Sequence, residues 1–461
     1  MTMPPERVDG TEAEGAEPGD GVVGGDAHEL LAEARGALAR VVDAPDAHRA
    51  RPVAIWSPGR IEVLGKHTDY AGGRSLLCAV ERGVCVVAVP RDDARLRLHD
   101  ARLSATVECE LTATSAPRAL AGPGAWGTYP AAVARRIARN FPGPLRGADI
   151  ALASDLPAAA GMSSSSALVV AIFLALAEIN ALAARDEYRR EIRSAEELAG
   201  YLGCVENGED FGSLRGDAGV GTFGGSEDHT AILCGRAGAL AQYAFCPVRL
   251  ERVVPLPREL TFAIAVSGVA AEKTGNARER YNAASHRART IVERWREATG
   301  RRDATLAAAL SSGAAAAGAL EALLARGGVD GRASRELLDR LAHFRLESEV
   351  LVPAAGDALA AGDLEALGAA VDRSQRAAEE WLGNQVPETI ALARAARELG
   401  AVAASAFGAG FGGSVWALVP ADGATTFLDA WRARYLARFP ARASACTFFL
   451  TRAGRPAARL A

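Results

Sequence analysis

The sequence predicts an α+β fold from three observations. Short apolar, β-branched runs bounded by Gly and Pro alternate with segments of helical periodicity between Val53 and Glu206. A strand-like run, Leu260 to Ser267, opens a long helical stretch rich in Ala, Arg and Leu. A further strand, Gly413 to Val419, follows a glycine cluster late in the chain. Strand and helix segments mixed in this way belong to α+β architectures.

Taken in order, residues 1–27 hold seven acids, one Arg and many Gly. They lack the apolar content to order themselves and read as a disordered acidic tail, not a signal peptide. Leu30, Leu31, Ala34, Leu38 and Val41 recur at helical spacing and predict an amphipathic helix, which ends in an acidic, proline-containing break around 43–52. Val53 to Trp56, Ile61 to Leu64 and Cys85 to Val89 read as strands, and Tyr129 to Asn140 as a helix. A strand at Ala148 to Ala153 follows, then helices opening after Gly161 and near Ala195 to Glu206.

Charged residues at 23% and hydrophobic ones at 49% are ordinary for a globular chain, and a net charge of -4 offers no basic field for nucleic acid or an anionic membrane. Seven cysteines without CxxC spacing read as reduced thiols of a cytoplasmic protein. The longest apolar run, Ala167 to Ala177, is too short to span a bilayer.

Three stretches carry candidate chemistry. Pro157 to Ala167 follows a strand and runs into an apolar helix, so its glycine and four serines place free N–H groups and hydroxyls where the helix dipole favours an anion. Taken alone, the serines also fit a plain N-cap. Ser405 to Val415 holds four glycines within six residues, which suits close approach of backbone to a ligand or to another segment, or a tight turn. Ser57 to Gly73 gathers Arg60, Lys66, His67 and Asp69. It is no P-loop, because five residues separate Gly59 from Gly65 and His67, not a hydroxyl, follows Lys66.

In this order the three stretches resemble the signature motifs of the GHMP kinases, and of galactokinases in particular. Gly59-Arg60-Ile-Glu62-Val-Leu-Gly65-Lys66-His67-Thr68-Asp69-Tyr70 is similar to Gly-Arg-x-Asn-x-Ile-Gly-Glu-His-Thr-Asp-Tyr, with Glu62 for Asn and Lys66 for Glu. Pro157 to Ser165 resembles the nucleotide loop, and Gly408 to Gly413 the late Gly-Ala-Gly-Phe-Gly-Gly motif. Fainter likenesses lie at Trp126 with Tyr129, at Gly225 to His229, at Tyr281-Asn282 and at Gln385 to Glu388.

The resemblance implies a two-lobed GHMP kinase fold, with mixed sheets flanked by helices and the active site in the cleft between the lobes. One lobe would cover residues 28–250 and the other 251–461. It implies ATP and Mg²⁺ as cofactors, and as function the transfer of the γ-phosphate to the anomeric hydroxyl of galactose or a similar sugar. Asp228 would be the base and Arg60 its charge-stabilising partner. Lys66, His67, Thr68, Asp69 and Tyr281 would bind sugar, and Trp126, Ala159, Ala160, Gly161, Met162, Ser163, Ser164 and Ser165 the nucleotide. Ser165 and Glu206 would hold the metal, with Glu209 and Asp210 as alternatives for the latter. Lys66 admits a kinase for an anionic sugar, such as a uronic acid or sugar phosphate. Lys66, Glu62 and His229, a departure from Gln, also admit an idle sugar and ATP sensor. A kinase acting on mevalonate, homoserine or a diphosphate precursor fits the His-Thr-Asp-Tyr run less well. A monomer without nucleic-acid or membrane partners is expected.

Overall fold

Two long strands, Val53–Leu64 (β1) and Arg74–Pro90 (β2), form the antiparallel pair on which the candidate site is built. They belong to a computed structural model that describes residues 25–40, 42, 51–121, 125–271, 275–326 and 331–461. The tail expected over 1–27 lies outside the described residues up to residue 24, as do 43–50 of the expected break.

The strands Arg95–Asp100 (β3), Ala105–Glu110 (β4), Arg118–Ala121 (β5), Ala148–Ser154 (β6), Ala239–Ala244 (β7), Arg249–Pro255 (β8) and, from the end of the chain, Ala458–Leu460 extend this pair into a nine-stranded sheet. β2 is long enough to pair β6 with one half and β7 with the other. The β3–β6 pairing is parallel against an antiparallel background, so the sheet is mixed. Leu260–Val266 (β9), Ala403–Phe407 (β10), Ser414–Pro420 (β11) and Thr447–Thr451 (β12) form a second sheet in the order β10-β11-β9-β12.

The strands expected at Val53–Trp56 and Ile61–Leu64 are one strand with a register shift at Pro58–Arg60. Gly59 sits at that shift, where a Cβ would lie 2.6 Å from Leu156 Cδ2 and 2.9 Å from the Met162 carbonyl. Beyond it the strand alternates: Ile61 and Val63 enter the core, while Arg60 and Glu62 share the opposite face.

Gly25–Leu38 (α1) covers one face of the large sheet, packing Leu30, Leu31 and Ala34 around Trp56 and Val87. Thr128–Asn140 (α2) and Ser164–Ile179 (α3) lie on the other face. α3 is apolar almost all round because β1, β2 and α2 enclose it, and that enclosure fixes where its N-terminus points. One buried cluster runs from Ile61 and Val169 to Phe262 and Trp416, so both sheets share a core. A separate cluster around Ile291, Leu306, Leu320, Leu341 and Phe344 joins four helices of the long helical stretch to Ala71, between β1 and β2. Two π-helical segments, Arg345–Leu351 and Ala378–Leu382, interrupt that stretch. Among the described residues no helix is long and apolar enough to cross a membrane.

Candidate active site

The three motifs meet through their backbones. In the loop before α3, Ala159, Gly161 and Ser163 all have positive φ, at 49°, 76° and 58°. The loop is pinned from outside: the Ala159 carbonyl accepts from Ala271 N at 2.8 Å, the Ala160 carbonyl from Ser414 Oγ at 2.6 Å, and the Met162 carbonyl from Arg60 N at 3.3 Å. Gly408 packs so closely that a Cβ there would lie 2.8 Å from the Gly161 carbonyl. The late glycines therefore serve close approach to another chain segment, one of the possibilities open from sequence, although Gly408 and Ala409 also border the cavity.

The cavity has a volume of about 810 Å³. Arg60 donates from Nε to Asp228 Oδ1 at 2.8 Å and pairs through a second nitrogen at 2.6 Å, while its third donates to the Gly161 carbonyl. Asp228 enters from the first turn of the helix Glu227–Cys234. Ser166, beyond the predicted serines, donates to Glu206 Oε2 at 2.9 Å and lies 3.4 Å from Asp228 Oδ2, linking the two carboxylates. His229 Nε2 stands 3.3 Å from Glu206 Oε2, both side chains being almost fully buried. The departure from Gln thus lies beside Glu206, with neither ring nitrogen in a hydrogen bond among the described residues. Two carboxylates joined by a hydroxyl form a hard-oxygen set of the kind Mg²⁺ prefers, so the residues present fit that ion. Glu209 and Asp210 are exposed and engaged with Arg289 and Arg215, and neither borders the cavity.

At the helix start, the Ser163 hydroxyl is buried without a partner and makes no capping bond. An orphaned donor beside the free N–H groups of a helix N-terminus suits a phosphate better than a plain N-cap does.

The first motif turns sharply after β1. His67 adopts φ 58°. Arg340, buried on the helix Gly331–Phe344, donates to the His67 carbonyl and to Tyr70 OH at 3.3 Å. Tyr70 OH is 3.0 Å from His67 Nδ1, and His67 Nε2 is 3.2 Å from the Ala409 carbonyl. A carbonyl only accepts, so Nε2 carries the proton and Nδ1 accepts from Tyr70. Tyr281 packs on His67 with ring centroids 5.3 Å apart. Asp69 Oδ2 accepts from Glu227 N at 3.1 Å, and burial raises the Asp69 pKa despite backbone donors from Glu227 and Tyr70.

Of the residues named from sequence, Arg60, His67, Asp69, Trp126, Ala159, Ala160, Gly161, Ser163, Ser164, Ser165, Glu206, Asp228 and Tyr281 border one cavity. Lys66, Thr68 and Met162, named with them, do not border it. Gly65, at φ 121°, swings the chain so that Lys66 is 1% exposed and donates to Ser374 Oγ at 3.1 Å. Thr68 Oγ1 instead ties the turn, lying 2.8 Å from both the Gly65 and the Arg74 carbonyl, either of which can take its one proton. The Met162 side chain is core, and its carbonyl accepts from Arg60 N.

Sequence reasoning missed a buried acidic group. Glu347, on the first π segment, accepts from the backbone N–H groups of Gly65 and Lys66 at 2.8 and 3.3 Å and from Ser374 Oγ at 2.9 Å. Glu227 accepts from Ser75 Oγ at 2.7 Å and meets the Glu62 carboxyl. Two carboxyls in contact require a proton between them. Burial, opposed by Lys66 and Arg60 and reinforced by Glu347, pushes Glu62 from 4.5 up to about 7, and burial with the Glu62 charge raises Glu227 well above its ordinary value.

Between those values the folded chain keeps a proton on Glu62 that the unfolded chain has released. The stability this gives is complete below pH 4.5 and is lost as pH climbs through about 7. Glu62→Gln should therefore gain in melting temperature relative to the parent as pH is raised from about 5 to about 8. Parallel curves for the two proteins would refute the raised pKa.

The comparisons with known proteins agree with this geometry. Residues 46–90 match a family described as the galactokinase galactose-binding signature, 128–208 the GHMP kinases N terminal domain, and 357–437 the GHMP kinases C terminal. A galactokinase of Chloroflexus aggregans is 30% identical over 389 residues, covering 83% of this chain and 87% of that protein. One of Chloroflexus aurantiacus is 31% identical over 381 residues, covering 81% and 85%. The crystal structure of Lactococcus lactis galactokinase complexed with galactose superposes with a TM-score of 0.73 at 22% identity, over 94% of this chain and 100% of that one, which shows the shared fold.

Proposed function

The chain belongs to the galactokinase family of the GHMP kinases, and from that premise we propose that it transfers the γ-phosphate of ATP to the anomeric hydroxyl of galactose or a closely similar sugar. It is a phosphotransferase with ATP as one substrate. The observation that carries the reading is the Arg60–Asp228 pair, facing the same cavity as the helix start at Ser163.

Phosphoryl transfer asks a protein mainly for alignment and charge compensation. In this proposal Asp228 accepts the proton of the sugar hydroxyl as it attacks. Arg60 holds Asp228 ionised and in place, and offsets charge that develops on the transferred group. N–H groups from Ala160 to Ser165 and the orphaned Ser163 hydroxyl bind the triphosphate, with Trp126 beside the base. His67, Asp69 and Tyr281 bind sugar hydroxyls, while Lys66 and Thr68 shape the turn that presents them. Ser165 and Glu206 would hold Mg²⁺, with Ser166 fixing the Glu206 carboxylate. When bound, the ion supplies charge neutralisation on the phosphates.

We place the enzyme in the cytoplasm as a monomer, and size-exclusion chromatography checks the second point. The central test is ADP release over galactose, galacturonate, N-acetylgalactosamine, arabinose and phosphorylated hexoses. Galactose should turn over at about 1–100 s⁻¹ with MgATP, and EDTA should abolish the signal. No ADP above background with any sugar would sink the reading.

A further inference from the structure

One acid on the cavity wall has no part in that mechanism. Glu62 follows Arg60 by two residues on β1, and the pairings Arg60↔Ala79, Ile61↔Cys78 and Glu62↔Leu77 run without a register shift between them. Arg60 and Glu62 therefore project from the same face, roughly 6.6 Å apart along the strand, with Ile61 turned into the core between them. Glu62 borders the cavity and is 3% exposed, yet its Oε1 takes no hydrogen bond from any donor among the described residues. A buried acceptor left unmet is destabilising, and such a group on a cavity wall is satisfied by what the cavity binds.

The surroundings say which chemistry that is. Lys66 is the leading opposite charge acting on Glu62, followed by Arg60, with the Glu347 charge opposing and the Glu227 carboxyl in contact. Lys66 is buried away from the cavity, so it compensates Glu62 without competing for a ligand. Glu62, Asp69, Glu227 and Asp228 all border this end of the cavity, against the single cation Arg60 among the residues of β1. An anionic substituent would be repelled there, whereas a neutral hydroxyl donates.

The reacting oxygen belongs beside Asp228, which Arg60 holds. A group one strand repeat further along addresses atoms across the width of a sugar ring. We propose that Glu62 is a sugar-binding, specificity-determining residue whose Oε1 accepts a hydrogen bond from a hydroxyl remote from the reacting one, with Lys66 as the buried cation beside it. This rests on the phosphotransfer reading of the same cavity.

The experiment compares kcat/KM for galactose and its 3-, 4- and 6-deoxy analogues in the parent chain, Glu62→Gln and Glu62→Asn, the last being the residue of the galactokinase pattern. In the parent, one analogue should lose at least about tenfold, because a buried acceptor is left unpaired. In both variants galactose should lose a similar factor, and the same analogue should then fall within about twofold of galactose. Equal losses across analogues in parent and variants, or variants as fast as the parent on galactose, would overturn the inference. Should both variants misfold, the parent still decides, since a flat response across the deoxy series would also overturn it. If no sugar releases ADP, the kinase reading fails. The thermal shift given by each deoxy sugar then decides Glu62 on its own, by the same comparison.

Discussion

Asp228→Asn should lower kcat by about 10²–10⁴-fold while leaving ATP affinity within a few-fold of the parent, the range expected for loss of a positioned base. Asparagine keeps the shape of the side chain and can still accept from Arg60, so the Arg60 contacts at 2.8 and 2.6 Å need not be abandoned. What is lost is the capacity to take a proton and the charge that balances a guanidinium only 4% exposed. The variant should therefore melt lower as well, since a buried cation without its partner is destabilising. The nucleotide contacts proposed at Ala160 to Ser165 do not use the Asp228 carboxylate and should persist. Activity within about fivefold of the parent would remove Asp228 from the mechanism, since a base contributes more than that. Loss of ATP binding in a folded variant would mean that the carboxylate belongs to the nucleotide site instead.

Much of this arrangement was legible in the sequence, for an identifiable reason. Arg60, His67, Asp69 and Ser163 to Ser165 sit in short stretches whose unusual composition reflects local backbone demands, such as positive φ at Gly161 and a helix start at Ser164. The core helix Ser164–Ile179, the helix Ala195–Asn207 and the two ends of the strand Val53–Leu64, though not their continuity through Pro58 to Arg60, followed from periodicity because their burial is one-sided or complete. The strands Arg95–Asp100 and Ala105–Glu110 did not, since both are short and at least half of the positions in each carry charged or polar residues.

The direction of Lys66 was not legible. Strand parity holds through Glu62, but a register shift before Leu64 and the positive φ of Gly65 reset it. The partners that explain Lys66, Glu347 and Ser374, come from helices of the second half. Glu347 lies within the π segment Arg345–Leu351 and Ser374 just before Ala378–Leu382, where a wider turn re-phases the helical faces and 3.6-residue periodicity misassigns them. Nor does the run Gly225 to His229 announce that Glu227 meets Glu62 and Ser75 while Asp228 pairs with Arg60. That depends on how the helix Glu227–Cys234 docks on β1 and β2, which is tertiary information.

Arg340→Met should cost about 3 kcal/mol or more in stability, on the basis of about 1–3 kcal/mol for each buried acceptor left unmet. Arg340 is 1% exposed and donates to the carbonyls of His67 and Ala284, the latter at 3.2 Å, and to Tyr70 OH. Methionine fills most of the volume but supplies no donor. The neighbouring His343, whose pKa burial and then the Arg340 charge hold well below the ordinary value, would be easier to protonate in the variant. The functional cost should appear in KM for sugar before kcat. The lost bonds hold the turn carrying His67 and Asp69, whereas Asp228 and Arg60 are fastened independently to each other and to the Gly161 carbonyl. Arg340→Lys should recover part of the stability, because an ammonium on a shorter reach can satisfy one acceptor but not the fork. An unchanged melting temperature with an unchanged KM would show that the turn holds its shape without the guanidinium. A fall in kcat at constant KM would place Arg340 in the chemistry and not in the scaffold.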